Sequence, residues 1–182
     1  LLAGSLLFWA LGKSPWQSFH VFFIEPLSSA NGWSELLVKA SPLILIAQGL
    51  AVGFRARIYN IGAEGQLIMG AICGGGVAIA CHDLQGGWIL PAMLLAGAAG
   101  GALRGGLAAW LKTPFRPEET LTTLMLTYVA GFVLAWLVNG PWRDPDGMNF
   151  PQSVMFADPA LFAPLFDGYR VTAAVLITLV VV

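Results

Sequence analysis

In 182 residues the chain carries nine Lys and Arg against ten Asp and Glu, only 10% charged residues, with 57% hydrophobic residues and a mean hydropathy of +0.75. Soluble domains carry about 25% charged residues, and a chain of this length cannot enclose such long charge-free stretches in one core, so the bilayer is the better solvent. A formal net charge of -1 leaves no basic footprint for nucleic acid, and Cys73 and Cys81 offer neither a disulfide framework nor zinc spacing.

A span needs roughly 20 apolar residues, so Leu1–Leu11 reads as part of a first span. Gly12–Ala40 mixes Pro15, Trp16, Glu25, Pro26, Trp33, Glu35 and Lys39 and is expected to lie across the membrane surface, its aromatics at headgroup depth. Ser41-Pro42 reads as the opening of a second apolar run, 41–57, because proline suits the first turn of a helix. The segment 58–80 follows at once, polar and Gly-rich at its start. After the short polar turn His82–Gly87 comes 88–111, flanked by Trp88 and Trp110, then a charged turn, Lys112–Glu119, with Pro114 and Pro117. A further span is expected over 120–139, a long polar-aromatic loop over Gly140–Arg170, and the start of a last span over 171–182. The fold class predicted is all-α: a polytopic transmembrane helical bundle, one domain over 1–182, with both terminal spans partial and expected to continue past the ends given.

Positive charge falls equally on the two sides, Arg55, Arg57, Lys112 and Arg116 against Lys13, Lys39, Arg143 and Arg170. The first set sits in short loops, where the charge rule acts most strongly, which places those loops in the cytoplasm.

Gly97, Gly101, Gly105 and Ala109 recur every four residues and share one helix face, which lets another backbone approach closely. Gly62, Gly70, Gly74 and Ala78 repeat the pattern in the preceding segment, and Thr127, Gly131 and Ala135 in the following one. Tight helix packing accounts for these glycines, and the same surfaces suit sliding during alternating access. Cys73 and Cys81 are read as small apolar packing residues.

The segment Asn60–Gln66 sets three polar side chains and two glycines where an apolar run was under way. Polar groups at membrane depth are costly and face a pathway or a partner helix, and irregular backbone there needs a protein-lined or wet cavity. The other reading is an ordinary surface turn with Glu64 solvated and paired to Arg55 or Arg57. Asn60, Gly62, Glu64, Gly65 and Gln66 are thus the candidate pathway residues. Arg104 lies inside a span about two turns from Lys112, and its long stem is expected to snorkel to the interface. Lys112–Glu119 and the Thr120-Leu121-Thr122-Thr123 that follows read either as a solvated turn or as a short surface helix, with Glu118 and Glu119 suited to its N-terminus.

Signals for catalysis are weak. Gly12-Lys13-Ser14 matches the end of a phosphate loop, but Leu7 stands where that motif needs glycine. His20 and His82 have no acidic or cysteine cluster at ligand spacing, so neither an enzyme, a metal site nor a cofactor is expected.

Ile58-Tyr59-Asn60-Ile61-Gly62-Ala63-Glu64-Gly65-Gln66-Leu67 resembles the FNIGAEGQ signature of ABC-importer permeases for simple sugars, nucleosides and branched-chain amino acids. Glu119–Ala130 is similar to the same family's NEVISTLMLNYIA stretch, and Gly140–Pro145 with Pro151-Gln152-Ser153 to the external loop of its nucleoside and simple-sugar branch. The sequence departs from the pattern at Tyr59, at Glu118, at Thr127 in place of asparagine, and at Arg104 in place of an aromatic or apolar residue. The resemblance implies the N-terminal part of a translocation subunit for a nucleoside or simple sugar, multi-pass in the bacterial inner membrane. It implies two ATP-binding subunits on the cytoplasmic face, a second permease (a copy or a relative), and an external solute-binding protein. Asn60–Gln66 would then line or support the pathway near a broken helix, and Lys112, Arg116, Glu118, Glu119 and Thr123 would belong to the face that couples to the ATPase. The alternative is a secondary transporter or channel driven by an ion gradient.

Overall fold

The computed structural model describes residues 2–115, 119–148, 150–166 and 168–181, with the backbone alone at 112–115, 119 and 181. Among these residues the regular elements are helical, and β pairing is confined to two isolated bridges, Arg143 with Ser153 and Pro164 with Thr172. The residues divide into two compact units, Leu1–Leu45 with Ala163–Val182, and Ile46–Phe162.

The first unit opens with α1 (Leu2–Ala10) and α2 (Pro15–Phe19). The tripeptide between them is a stop and a start, not a phosphate loop. Gly12 takes a φ of 70°, which costs glycine little. Ser14 Oγ accepts the Gln17 N–H at 3.5 Å, and Pro15 occupies the first helical position. A π-helical turn, His20–Ile24, leads into α3 (Glu25–Ser28) and then α4 (Ala30–Arg55), of which the residues up to Leu45 belong to this unit and the rest to the second; α8 (Ala174–Val181) also belongs to the first. Arg170 reaches Glu35 at 3.4 Å, an exposed pair of little energetic weight.

The helix expected to begin at Ser41-Pro42 begins eleven residues earlier, at Ala30. Its cap is Ser29, whose Oγ accepts the Gly32 N–H at 3.0 Å. Ser41 lies inside the helix and donates its hydroxyl to the Leu37 carbonyl at 2.8 Å, while Pro42 withholds the N–H that would have bonded the Val38 carbonyl. Transmembrane helices tolerate such prolines, so a Ser-Pro pair that mimics a helix start is here a helix interior. The residues from Ala30 to Ala40 are correspondingly the first turns of α4.

The second unit holds α5 (Ala63–Ala80), α6 (Ile89–Phe115) and α7 (Glu119–Asn139). Among the described residues four helices are long and apolar enough to cross a membrane: Ala30–Arg55, Ala63–Ala80, Ile89–Leu111 and Thr120–Asn139. They bury little of their own surface, and Leu95, Leu103, Phe132 and Trp136 stand exposed, as a lipid-facing or helix-facing surface requires.

α5 packs along α6 on small residues. A Cβ built on Gly70 would meet the Gly97 carbonyl oxygen at 3.0 Å, and one on Gly74 the Met93 carbonyl at 3.1 Å. Gly100 is tighter still: its Cβ would lie 2.5 Å from Cys73 Sγ and 2.8 Å from the Met69 carbonyl. Gly97, Gly101 and Gly105 also look at α5, at Gly70, at the Gln66 carbonyl and at the Gln66 side chain. Gly131, on the third small-residue face, has nothing within 4 Å, and neither does Gly106. Cys73 packs against Gly100, and Cys81 against a small core of Ala78, Ile89 and Ala160. At this end of α5 the loop after α7 folds back, with Phe156 and Trp142 ring atoms 3.4 Å from where Cβ atoms of Gly75 and Gly76 would stand.

Close approach across α5 and α6 therefore predicts a contrast between adjacent-looking glycines. Gly100→Leu should abolish recovery of folded protein, because the backbone and Cys73 leave no room. Gly106→Leu should be recovered at the unmodified level by size-exclusion chromatography in detergent. Equal recovery of both variants would show that α5 and α6 do not meet on this face.

Candidate functional site

α4 ends in a Schellman arrangement. The Arg57 N–H donates to the Phe54 carbonyl at 3.0 Å and the Ile58 N–H to the Gly53 carbonyl at 2.9 Å, with Arg57 at φ 58°. A left-handed non-glycine residue costs about 1–2 kcal/mol. The ring contact of Phe54 with Tyr59, 5.9 Å between centroids, lies beside it. Residues 58–62 then run without helical structure to the start of α5. Their backbone groups are met by side chains: Asn60 Oδ1 accepts the Gly62 N–H at 2.8 Å, and Asn60 Nδ2 donates to Gln66 Oε1 at 2.9 Å. The Ile61 N–H reaches across to Thr123 Oγ1 on α7 at 3.3 Å. The helix α5 opens on the Gln66 N–H to Gly62 carbonyl bond, 3.1 Å.

Arg104 sits at the centre of this arrangement. It is 5% exposed, so its side chain does not snorkel to the interface. Its Nη2 donates to the Thr123 carbonyl at 2.5 Å and to Thr127 Oγ1 at 3.0 Å. Thr127 Oγ1 in turn donates its hydroxyl to the Thr123 carbonyl at 3.0 Å, and Thr123 Oγ1 donates to the Thr120 carbonyl at 3.1 Å. The room for the guanidinium comes from two glycines. A Cβ on Gly62 would collide with both terminal nitrogens of Arg104, and one on Gly65 would lie 2.9 Å from Nη2 and 2.8 Å from Thr127 Cα. An arginine in mid-span costs about 2.5–3.5 kcal/mol to insert, and each hydrogen bond to a charged group returns about 1.5–3 kcal/mol. Two acceptors within reach therefore outweigh snorkelling, which the distance to Lys112 alone had favoured. Nε and Nη1 have no acceptor among the described residues.

The structure thus brings together Asn60, Gly62, Gly65 and Gln66 with Gly105, Thr123 and Arg104. Gly62 and Gly65 are buried and turned to α6 and α7, while Glu64 is exposed on the first turn of α5. Of the residues expected at the coupling turn, Thr123 is buried in this network. Lys112 and Glu119 lie in the last turn of α6 and at the start of α7, where the backbone alone is described, and Arg116 and Glu118 lie outside the described residues. Sequence reasoning missed the roles of Arg104 and Thr127. The signal was present as a charge inside a small-residue run, followed one span later by two threonines four apart. Among the described residues no group of three or more His, Cys, Asp and Glu is placed to hold a metal ion.

The Ile61–Thr123 bond makes the irregular segment depend on α7. In Thr123→Val the side-chain shape is kept and the acceptor is lost, at a net cost of about 1 kcal/mol. The Ile61 amide should then exchange with deuterium several-fold faster, while amides in mid-α6 keep their protection. Unchanged exchange at Ile61 would mean that the segment is held by other contacts.

A family profile described as the permease component of the branched-chain amino acid transport system matches residues 32–182. The chain is 40% identical over 165 residues to the glucose ABC transporter permease protein TsgB13 of Haloferax volcanii, covering 91% of this chain and 43% of that protein. It is 30% identical over 142 residues to the nucleoside ABC transporter permease protein NupB of Lactococcus lactis, covering 78% and 39%. To the guanosine ABC transporter permease protein NupP of Bacillus subtilis it is 28% identical over 144 residues, covering 79% and 41%. The chain spans about two-fifths of the length of these relatives. No solved structure matches it. With four apolar helices of spanning length among the described residues, two of them packed on glycines beside a polar break, this multi-pass membrane chain belongs to the family of branched-chain amino acid transport system permease components.

Proposed function

We propose that the chain is part of the translocation subunit of an ATP-driven importer for a small neutral polar solute, a simple sugar or a nucleoside. It would act in the plasma membrane as part of a single transmembrane permease domain. The observation that carries this reading is the polar, Gly-rich stretch Asn60–Gln66, which spans the break before α5 and its first turn, in a family of permeases whose relatives are named for glucose and nucleosides. Such a protein performs no covalent chemistry. It exposes a weak site alternately to two sides, and the energy comes from ATP hydrolysed on separate subunits.

In this reading Asn60, Gly62, Glu64, Gly65 and Gln66 form the pathway segment. Gly62 and Gly65 support it from behind, against α6 and α7, and the exposed Glu64 carries its polar face. Gly97, Gly101 and Gly105 keep α6 close enough to hold that support. The turn from Lys112 to Thr123 faces the ATP-binding subunits. A second permease, the same chain or a relative, completes the pathway, and an external solute-binding protein delivers the cargo. Neutral Asn, Gln and Thr groups beside aromatics suit a hydroxyl-bearing solute, since each can donate and accept hydrogen bonds.

The test is uptake of labelled glucose and guanosine into proteoliposomes holding the full-length permease, its ATP-binding subunits and its solute-binding protein. One of the two solutes should accumulate only with ATP inside the partner's reach. Glu119→Lys should lower uptake and stimulated ATP hydrolysis together. A reversed charge at a helix N-terminus loses only about 0.3–1 kcal/mol, too little to unfold a multi-span bundle, but it breaks docking to a complementary surface. Uptake driven by an ion gradient without ATP would overturn the reading.

A further inference from the structure

We propose that Arg104 is a positioning residue for transport: its guanidinium ties the first turns of α7 to the segment that opens α5, so that a displacement of one is carried to the other. The inference rests on the functional reading above, in which Thr123 belongs to the ATPase-facing turn and Asn60–Gln66 to the pathway.

The geometry gives Arg104 contacts on both sides. Toward α7 it holds the Thr123 carbonyl and Thr127 Oγ1 through Nη2. Toward α5 it fills the notch left by Gly62 and Gly65, where a methyl group would strike it. Thr123 closes the circuit, because its hydroxyl receives the Ile61 N–H while its carbonyl receives the arginine. Three elements thus meet at one side chain that is 5% exposed. None of them can shift without the guanidinium following or exchanging partners.

Exchange is available. An arginine carries five N–H donors in a fixed fork, and Nη2 spends its two on α7. The donors on Nε and Nη1 have no acceptor among the described residues. When α7 or the 58–62 segment moves, these unspent donors leave Arg104 able to bond a carbonyl that comes within reach. A side chain able to hold more than one set of partners is a candidate two-state element, the physical warrant for coupling between distant sites. A lysine at the same position offers a point charge without the fork.

The test uses the full-length permease with its ATP-binding and solute-binding subunits in proteoliposomes, with whichever of glucose and guanosine the unmodified complex takes up. Two quantities are read per folded complex: solute moved per ATP hydrolysed, and the ATP-dependent change in maleimide labelling of an Ile61→Cys background, a position whose side chain is exposed. In Arg104→Gln the solute-to-ATP ratio should fall at least fivefold and the ATP-dependent change in labelling should vanish. Arg104→Lys should fall between Gln and the unmodified protein. A merely structural role would reduce the amount of folded complex and leave both per-complex quantities unchanged, and that result overturns the proposal. Should Arg104→Gln not accumulate, Thr127→Val decides. It removes one acceptor and keeps the Thr123 bond, so a two- to threefold fall in the ratio supports the proposal and an unchanged ratio overturns it. Failure of the importer reading itself shows separately, as an unmodified complex that takes up neither solute on ATP.

Discussion

A guanidinium buried in a membrane-spanning helix needs both acceptors and room, and much of the second unit is arranged to supply the two. Gly62 and Gly65 give the room, Thr123 and Thr127 the acceptors, and the helices carrying them are thereby fixed relative to α6. Hydrophobic burial cannot do this alone, because in lipid there is no such drive between helices and association rests on packing and interhelical hydrogen bonds. The small-residue contact of α5 with α6 and the hydrogen-bonded contact of α6 with α7 are two solutions to that one problem. They meet at Gln66 and Gly65, four and three residues into the signature stretch from Gly62.

The break between α4 and α5 follows the same logic. A chain that leaves a helix exposes backbone groups that need new partners, and wherever it lies within lipid those partners must come from the protein. The Schellman bonds of Arg57 and Ile58 close α4, the Asn60 carboxamide bonds Gly62 and Gln66, and Thr123 takes the Ile61 N–H. Each hydrogen-bond partner is a short polar side chain or a backbone group, and the Phe54–Tyr59 ring contact at the end of α4 adds to them. An irregular segment held by hydrogen bonds that have near alternatives suits a moving part better than one held by a packed core. This is the physical link between the Asn60–Gln66 sequence and the transport role proposed for it.

The helices over 88–111 and 120–139 were legible because their apolar runs are long, the first interrupted by Arg104 alone, and bounded by charged or polar turns. The close approach of α5 and α6 was legible from glycines four residues apart, although Gly100, where the two backbones come closest, lies off that register and stands next to Gly101. The start of α4 was not legible, because Ser41-Pro42 imitates a cap while the true cap, Ser29, precedes a mixed stretch with little helical periodicity. Arg104 was misjudged for a different reason: the distance to the helix end was visible in the sequence, but the acceptors lie on another span. Two of the four departures from the family pattern, Arg104 and Thr127, prove to be bonded to each other, at 3.0 Å. Read separately each was an oddity, and only the fold makes them one feature.

Because the account places Arg104 and Thr127 in one interaction, a double-mutant cycle between Arg104→Gln and Thr127→Val tests it most directly. The full-length permease would be unfolded reversibly in mixed micelles and the four stabilities compared. The account predicts an interaction energy of about 0.5–3 kcal/mol, the range for residues in direct contact. Two single effects that simply add, within about 0.3–0.5 kcal/mol, would contradict it.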